Sequence, residues 1–127
     1  MSLHLIQQFH ALIASNHFNE AMQLFADDAC IIFHGPANNP MAGQYKGREG
    51  VAQFFATIGE FVEMEHFAAE EFIDAGATVV VLGRERSKVK ATGKIFDVPW
   101  VQIWRTQDGK ITELTDFFDT GSMAEAF

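Results

Sequence analysis

The chain has 127 residues, a net charge of −8 and a single cysteine, Cys30. A length of this order fits one domain. The acidic surface lacks the positive field that nucleic acid or an anionic membrane requires, and one cysteine permits no internal disulfide. Thirteen phenylalanines and two tryptophans against one tyrosine make the aromatic inventory almost pure hydrocarbon, suited to the walls of an oily interior. The N-terminus has neither the basic start nor the apolar run of a signal peptide, and no segment reaches the roughly 20 apolar residues of a membrane span; a cytoplasmic protein is expected.

In chain order, Leu5, Ile6, Phe9, Leu12 and Ile13 recur at helical spacing over residues 3–15, with Ser2 placed to cap the first turn. Asn19 can cap a second short helix carrying Met22, Leu24 and Phe25. Residues 29–34 read as a strand around Ile31, Ile32 and Phe33, with Cys30 as a buried small hydrophobe, and Gly35-Pro36 stops it. The Gly-, Asn- and Pro-rich residues 35–46 form a loop, and a third helix starts near Gly47 with Val51, Phe54, Phe55 and Ile58 on one face. Residues 61–73, 78–90, 94–105 and 110–118 are long β-type runs separated by glycine turns at Gly76, Gly93 and Gly109, so a four-strand meander is predicted. Pro99 marks a bulge or an unpaired position, because it cannot donate to a ladder. A last helical turn over 120–127 sets Met123 and Phe127 on one side.

Helices followed by long antiparallel strands define an α+β order in one domain, 1–127, with helices over one sheet face. Along the strand at 94–105, Phe96, Val98, Trp100, Gln102 and Trp104 share one face while Asp97, Pro99, Val101, Ile103 and Arg105 share the other. Both faces are partly apolar and the helices are too few to cover both. A homodimer through the uncovered, convex face is therefore expected.

Four segments, Phe25-Ala26-Asp27-Asp28-Ala29, Tyr45-Lys46-Gly47-Arg48-Glu49-Gly50-Val51, Asp108-Gly109-Lys110-Ile111 and Asp116-Phe117-Phe118-Asp119-Thr120, fall in the order found in SnoaL-like, ketosteroid isomerase-related proteins. The chain resembles that group over almost its whole length. The resemblance implies the nuclear transport factor 2-like fold, a cone-shaped curved antiparallel sheet of the cystatin-like roll type packed against N-terminal helices. It does not imply one chemistry, since the superfamily holds isomerases, cyclases, hydrolases, dehydratases and binding modules. Ketosteroid isomerase uses an aspartate base with a tyrosine and a protonated aspartic acid; here Phe33 falls at the base, with His34 next to it, Phe9 or His10 near the tyrosine, and Trp100 at the acid. Limonene epoxide hydrolase-like relatives carry an arginine and an aspartate on the third strand and a second aspartate on the last. Asp116 matches the last of these, while Arg86 and Lys88 resemble the pair, which disfavours that mechanism.

The resemblance turns the face of Thr112, Leu114, Asp116 and Phe118 inward. Asp116 is then a carboxylate among aromatics, with a pKa raised by burial into the range of a general acid or base; pairing with Arg84 or Arg86 is the plainer role. His34 ends its strand at the lip of the loop, where a one-residue slip aims an imidazole into the cavity. Trp100 and Trp104 are candidates to stack on a flat substrate or to pack the core, His10 on the first helix to face the same cavity, and Tyr45 before the third to bond a ligand carbonyl or to cap the core. Phe33, Phe54, Val98 and Phe118 complete the ligand-binding candidates. Arg84, Arg86 and Lys88 are expected to pair with acids of the neighbouring strand.

The histidines His4, His10, His17, His34 and His66 show no metal-ligand spacing, and there is no phosphate loop, dinucleotide fingerprint or nucleophile elbow. No metal and no cofactor are expected. The expectation is thus a pocket for a small hydrophobic molecule. Its use is either cofactor-free isomerisation, cyclisation or dehydration through Asp116 or His34, or ligand binding and protein interaction without catalysis.

Overall fold

Period-two burial along the long strands builds the molecule. β4 (Thr78–Val89) buries Val79, Val81, Gly83, Glu85, Ser87 and Val89 in strict alternation, and β5 (Ile95–Gln107) does the same from Phe96 to Trp104. The computed structural model describes residues 2–127. It adds α1 (Ser2–Ala14), α2 (Phe18–Met22), β1 (Phe25–His34), β2 (Gly43–Lys46), α3 (Gly47–Phe61), β3 (Val62–Ala75), β6 (Lys110–Phe118) and α4 (Thr120–Ala124). The strands form one curved sheet in the order β2-β1-β6-β5-β4-β3, with β1 parallel to β6 and every other pair antiparallel. The predicted α+β architecture and the β3–β6 meander are both found.

Several local expectations need correction. The second helix stops at Met22 and β1 begins at Phe25; the strand is irregular between Phe25 and Cys30, where pairing with β6 jumps from Phe25↔Ile111 to Cys30↔Glu113. Cys30 is half-buried on the outer side, since the parity that turns Ala29 and Ile31 inward turns it away. Four residues of the predicted loop form β2, with Gly43 to Lys46 pairing against Phe33 to Cys30. Ser2 and Asn19 lie inside their helices and cap neither; the Ser2 hydroxyl is 2.6 Å from that of Thr106.

Pro99 keeps its register with β4 and sits just past the β5–β6 ladder, which begins at Trp100↔Phe118. The Asp119 N–H donates to its carbonyl at 3.3 Å, so Pro99 is not a bulge and lacks a ladder partner only on the β6 side. The bulge lies at Thr112, where pairing shifts between Arg105 and Thr106 and the Thr112 hydroxyl donates to the Arg105 carbonyl. Ile111 takes the inward place that Thr112 was expected to share with Leu114.

α1 and α3 lie against the inner face. Ile6, Phe9, His10 and Ile13 of α1 are buried, and the Phe9 ring meets Trp104 at 4.7 Å between centroids. Each fully buried apolar side chain of this size contributes about 1.5–3 kcal/mol, and the buried apolar residues form one cluster. No described helix lies on the outer face. There Val80 pairs across to Ile103, Leu82 to Val101, and Val101 to Phe117, and Phe117 is 42 % exposed.

Candidate functional site

Between α1, α3 and the inner face lies a cavity of about 410 Å³, a size that takes a small organic ligand. Phe33, Phe54, Phe67, Phe118, Met41 and Met123 are among its walls. Its polar lining is confined to Asn16, Glu85, Gln102 and Asp116, with no lysine, arginine or histidine among the described lining residues.

Asp116 stands at the middle of the sheet, opposite Gln102 on β5 and Phe33 on β1. It is 2 % exposed, and its Oδ1 has no hydrogen-bond partner. Burial pushes its pKa up to about 7; the Gln102 amide acts in the opposite direction, and the negative charge of Glu85 raises it further. The simpler role expected for Asp116 does not hold, because Arg84 pairs with Asp97 at 2.8 Å and Arg86 with Glu65 at 3.0 Å on the outer face.

Glu85 was not among the sequence candidates. It projects from the inner face of β4, 7 % exposed, and burial raises its pKa to about 7 against the opposing hydrogen bond from Ser87; the Ser87 hydroxyl donates to Oε2 at 2.6 Å. Arg86 and Lys88, read as the third-strand pair of the hydrolase relatives, face outward, and the inward positions belong to Glu85 and Ser87. One signal was present: Glu85 interrupts the buried series Val79, Val81, Gly83 at the same parity. Next to it, Gly83 leaves the notch across which Trp100 lies, since a Cβ there would collide with the Trp100 ring and the Ala68 carbonyl.

Of the predicted ligand-binding residues, Phe33, Phe54 and Phe118 line the cavity. Trp100 and Val98 are buried behind its wall, with the Trp100 ring stacked between Phe67 at 4.9 Å and His10 at 5.8 Å. His10 is 8 % exposed and its Nε2 lies 2.9 Å from Gln102 Oε1; burial lowers its pKa to about 4, against the raising effect of that bond. Tyr45 sits one layer out, its hydroxyl donating to the Met41 carbonyl at 2.8 Å and its ring edge-on to Phe54; burial raises its pKa. His34 is not brought to the site. The parity that turns Phe33 inward turns His34 outward, where it is exposed and stacks on Phe117 at 4.6 Å. The slip that would have aimed it at the cavity does not occur, and a proton-transfer role for it has no geometric support. No group of three metal-ligating side chains occurs among the described residues, and no described helix is long and apolar enough to cross a membrane.

The model of the SnoaL-like domain matches residues 6–114. The chain belongs to the SnoaL-like family. No curated protein matches it by sequence. Among solved structures this SnoaL-like chain is similar to an NTF2-like protein from Burkholderia thailandensis, with 27 % identity, 99 % of this chain and 96 % of the other covered, and a TM-score of 0.89. It is also similar to an NTF2-like protein from Burkholderia xenovorans, with 26 % identity, 98 % and 94 % covered, and a TM-score of 0.86. TerC co-crystallized with polyporic acid shares the fold at 24 % identity, 98 % and 96 % covered, and a TM-score of 0.86. This SnoaL-like chain thus carries the family fold with a carboxyl pair, Asp116 and Glu85, as the titratable part of its cavity lining.

Proposed function

We propose that this SnoaL-like protein is a cofactor-independent acid/base enzyme acting on a small, mainly hydrophobic organic molecule, with Asp116 and Glu85 moving the proton. The observation that carries the reading is Asp116 itself: a carboxyl buried in the wall of an open apolar cavity, with no cation beside it and one oxygen unpartnered. A purely structural carboxylate in such a place is normally paired or fully hydrogen-bonded. A pKa near neutrality suits a group that must both take and give a proton. Phe33, Phe54 and Phe118 supply flat walls for an aromatic or polycyclic body. With two acids and no base in the lining, the substrate is uncharged or cationic rather than anionic. Proton transfer at a carbon beside a carbonyl, as in isomerisation, cyclisation or dehydration, is the reaction class that needs only these groups.

The outer face supports a homodimer. Val80, Leu82, Val101, Ile103 and Phe117 form a continuous cross-strand patch that no described helix covers, and pairing two such faces would bury residues that the single chain leaves partly exposed. Sedimentation at micromolar concentration should give twice the chain mass, and Phe117→Asp should give the monomer; a monomeric parent protein would sink the dimer.

The chemical reading is tested by incubating the protein with hydrophobic ketones in D₂O. A ketone that binds should exchange its α-protons with the parent protein, while Asp116→Asn should bind it without exchange. Undiminished exchange in Asp116→Asn removes Asp116 from the chemistry. Binding with no exchange in the parent protein favours a ligand-binding module.

A further inference from the structure

Of the residues that line the cavity, Asn16 and Gly59 are the exposed ones. They come from different elements, Asn16 from the turn after α1 and Gly59 from the last turn of α3. Phe18, Ile58 and Met64, which lie close to them in the chain, are half-buried and line the same cavity. The cavity therefore meets water between the α1–α2 turn and the end of α3.

Neither residue is required there by packing. Gly59 is helical without a positive φ, and a Cβ placed on it would meet nothing within 4 Å. Glycine in a helix gives up more conformational entropy than alanine, so what it supplies at this position is width. Asn16 has a φ of 61°. It ends α1 in a Schellman turn, with the His17 N–H donating to the Leu12 carbonyl at 2.8 Å and the Asn16 N–H to the Ile13 carbonyl at 3.1 Å. Glycine is the usual residue at such a position and asparagine the next. The Ser15 hydroxyl donates to the Ala11 carbonyl at 2.9 Å and lies 2.8 Å from His17 Nδ1; the Asn16 amide takes no part in this and is left to the cavity and to water.

The other polar lining residues, Glu85, Gln102 and Asp116, are buried. His10 marks their level on α1, since its Nε2 is 2.9 Å from Gln102 Oε1. From position 10 to position 16 the chain advances roughly 9 Å at about 1.5 Å per residue, and Ile13 makes the wall between apolar. The cavity thus has a polar inner end, an oily middle and an amide at its mouth.

We propose that Asn16 and Gly59 form the entrance of the cavity and that Asn16 is a specificity-determining residue, hydrogen-bonded to the outer end of the ligand. The ligand class is an elongated apolar molecule with a hydrogen-bonding group at each end, one for the carboxyl pair and one for the amide. The proposal rests on the reading of the cavity as a site for a small hydrophobic molecule and adds where the polar groups of that molecule lie.

The experiment is calorimetric binding of two probes of equal size: biphenyl with a hydroxyl at each para end, and the same molecule with a methyl in place of one hydroxyl. The parent protein should prefer the diol by about 3–10-fold, the usual net effect of one hydrogen bond. Asn16→Gly accepts the left-handed backbone, so it should fold and bind the two alike. Gly59→Phe should weaken both probes by about tenfold or more without lowering the melting temperature, while Ala56→Phe, exposed on the same helix and away from the cavity, should change neither. A parent protein that shows no preference or binds neither probe overturns the proposal, as does a preference that survives in Asn16→Gly or a Gly59→Phe variant that binds like the parent. Failure of the acid/base reading has a different signature: the preference and its loss in Asn16→Gly hold while no ketone exchanges protons.

Discussion

The two faces of β4 carry neighbouring charges in opposite circumstances. Arg84 and Arg86 point outward, each about half exposed, and each has a carboxylate within 3.0 Å. Glu85, the residue between them, points inward and has only the Ser87 hydroxyl; Asp116, which faces the same cavity, has one oxygen with no partner at all. Charge in contact with water is easily screened and its pairing contributes little. Charge removed from water is costly, and the molecule keeps it neutral or poised unless chemistry requires it. One residue of register separates a solvated surface from a candidate acid/base site.

The largest effect that can test this contrast is on turnover. Asp116→Asn should lower the rate of whatever proton transfer is found by about 10²–10⁴-fold, the usual contribution of a positioned acid or base, while Lys88→Ala on the outer face should leave it unchanged. Equal losses from both would mean that the inner face has no special standing.

Stability should respond to pH with a sign set by the same burial. Asp116 and Glu85 have folded pKa values raised to about 7, so between about pH 4 and 7 the folded state holds protons that the unfolded chain has released. Their contribution therefore falls as pH rises through that window and is flat above it. His10, lowered to about 4, works the other way, losing stability as pH falls from 6.5 towards 4. Two carboxyls outweigh one imidazole, and urea unfolding should show a loss from these groups of roughly 2–4 kcal/mol between pH 5 and 8. Asp116→Asn should recover part of it at pH 8. An inactive variant that is also more stable is the expected signature of a site kept for function.

How far these features could be read beforehand follows the same geometry. Phe33, Asp116 and Phe118 were legible as inward because their strand parity is uninterrupted near the ends that matter. The Thr112 bulge defeated parity further back on β6. Glu85 was hidden by its basic neighbours, which draw the eye to the wrong face. Trp100 is inward as expected, but that it lies over Gly83 and behind Phe67 depends on a contact between strands that no single segment encodes. β2 was hidden because Gly43 and the preceding asparagines and prolines read as a loop. The cavity itself depends on where α1 and α3 rest against the sheet.

A smaller effect should come from the Gly83 notch. Gly83→Ala places a methyl against the Trp100 ring and the Ala68 carbonyl, and since the backbone carbonyl cannot move far, the ring and strand must shift at a cost of about 1–3 kcal/mol. Chemical denaturation measures the loss, and a quenched or shifted tryptophan emission should accompany it. A neutral substitution would show that Trp100 is free to leave its place between His10 and Phe67.

The smallest effect expected is the most informative about the outer face. Arg84 donates from Nε to Asp97 Oδ1 at 2.8 Å and from its terminal nitrogen to the Asp97 carbonyl at 3.1 Å, yet both side chains stay close to half exposed. An exposed pair of this kind contributes about 0.2–1 kcal/mol and fades with salt. Arg84→Ala should therefore lower stability by less than about 1 kcal/mol, measured by urea unfolding in low and high salt. A salt-insensitive loss well above that range, growing with protein concentration, would place Arg84 out of water after all. The homodimer proposed through the apolar patch of Leu82 and Val101 would then extend over Arg84 as well, and the contrast between the two faces of β4 would be between two interiors, one with paired charges and one without.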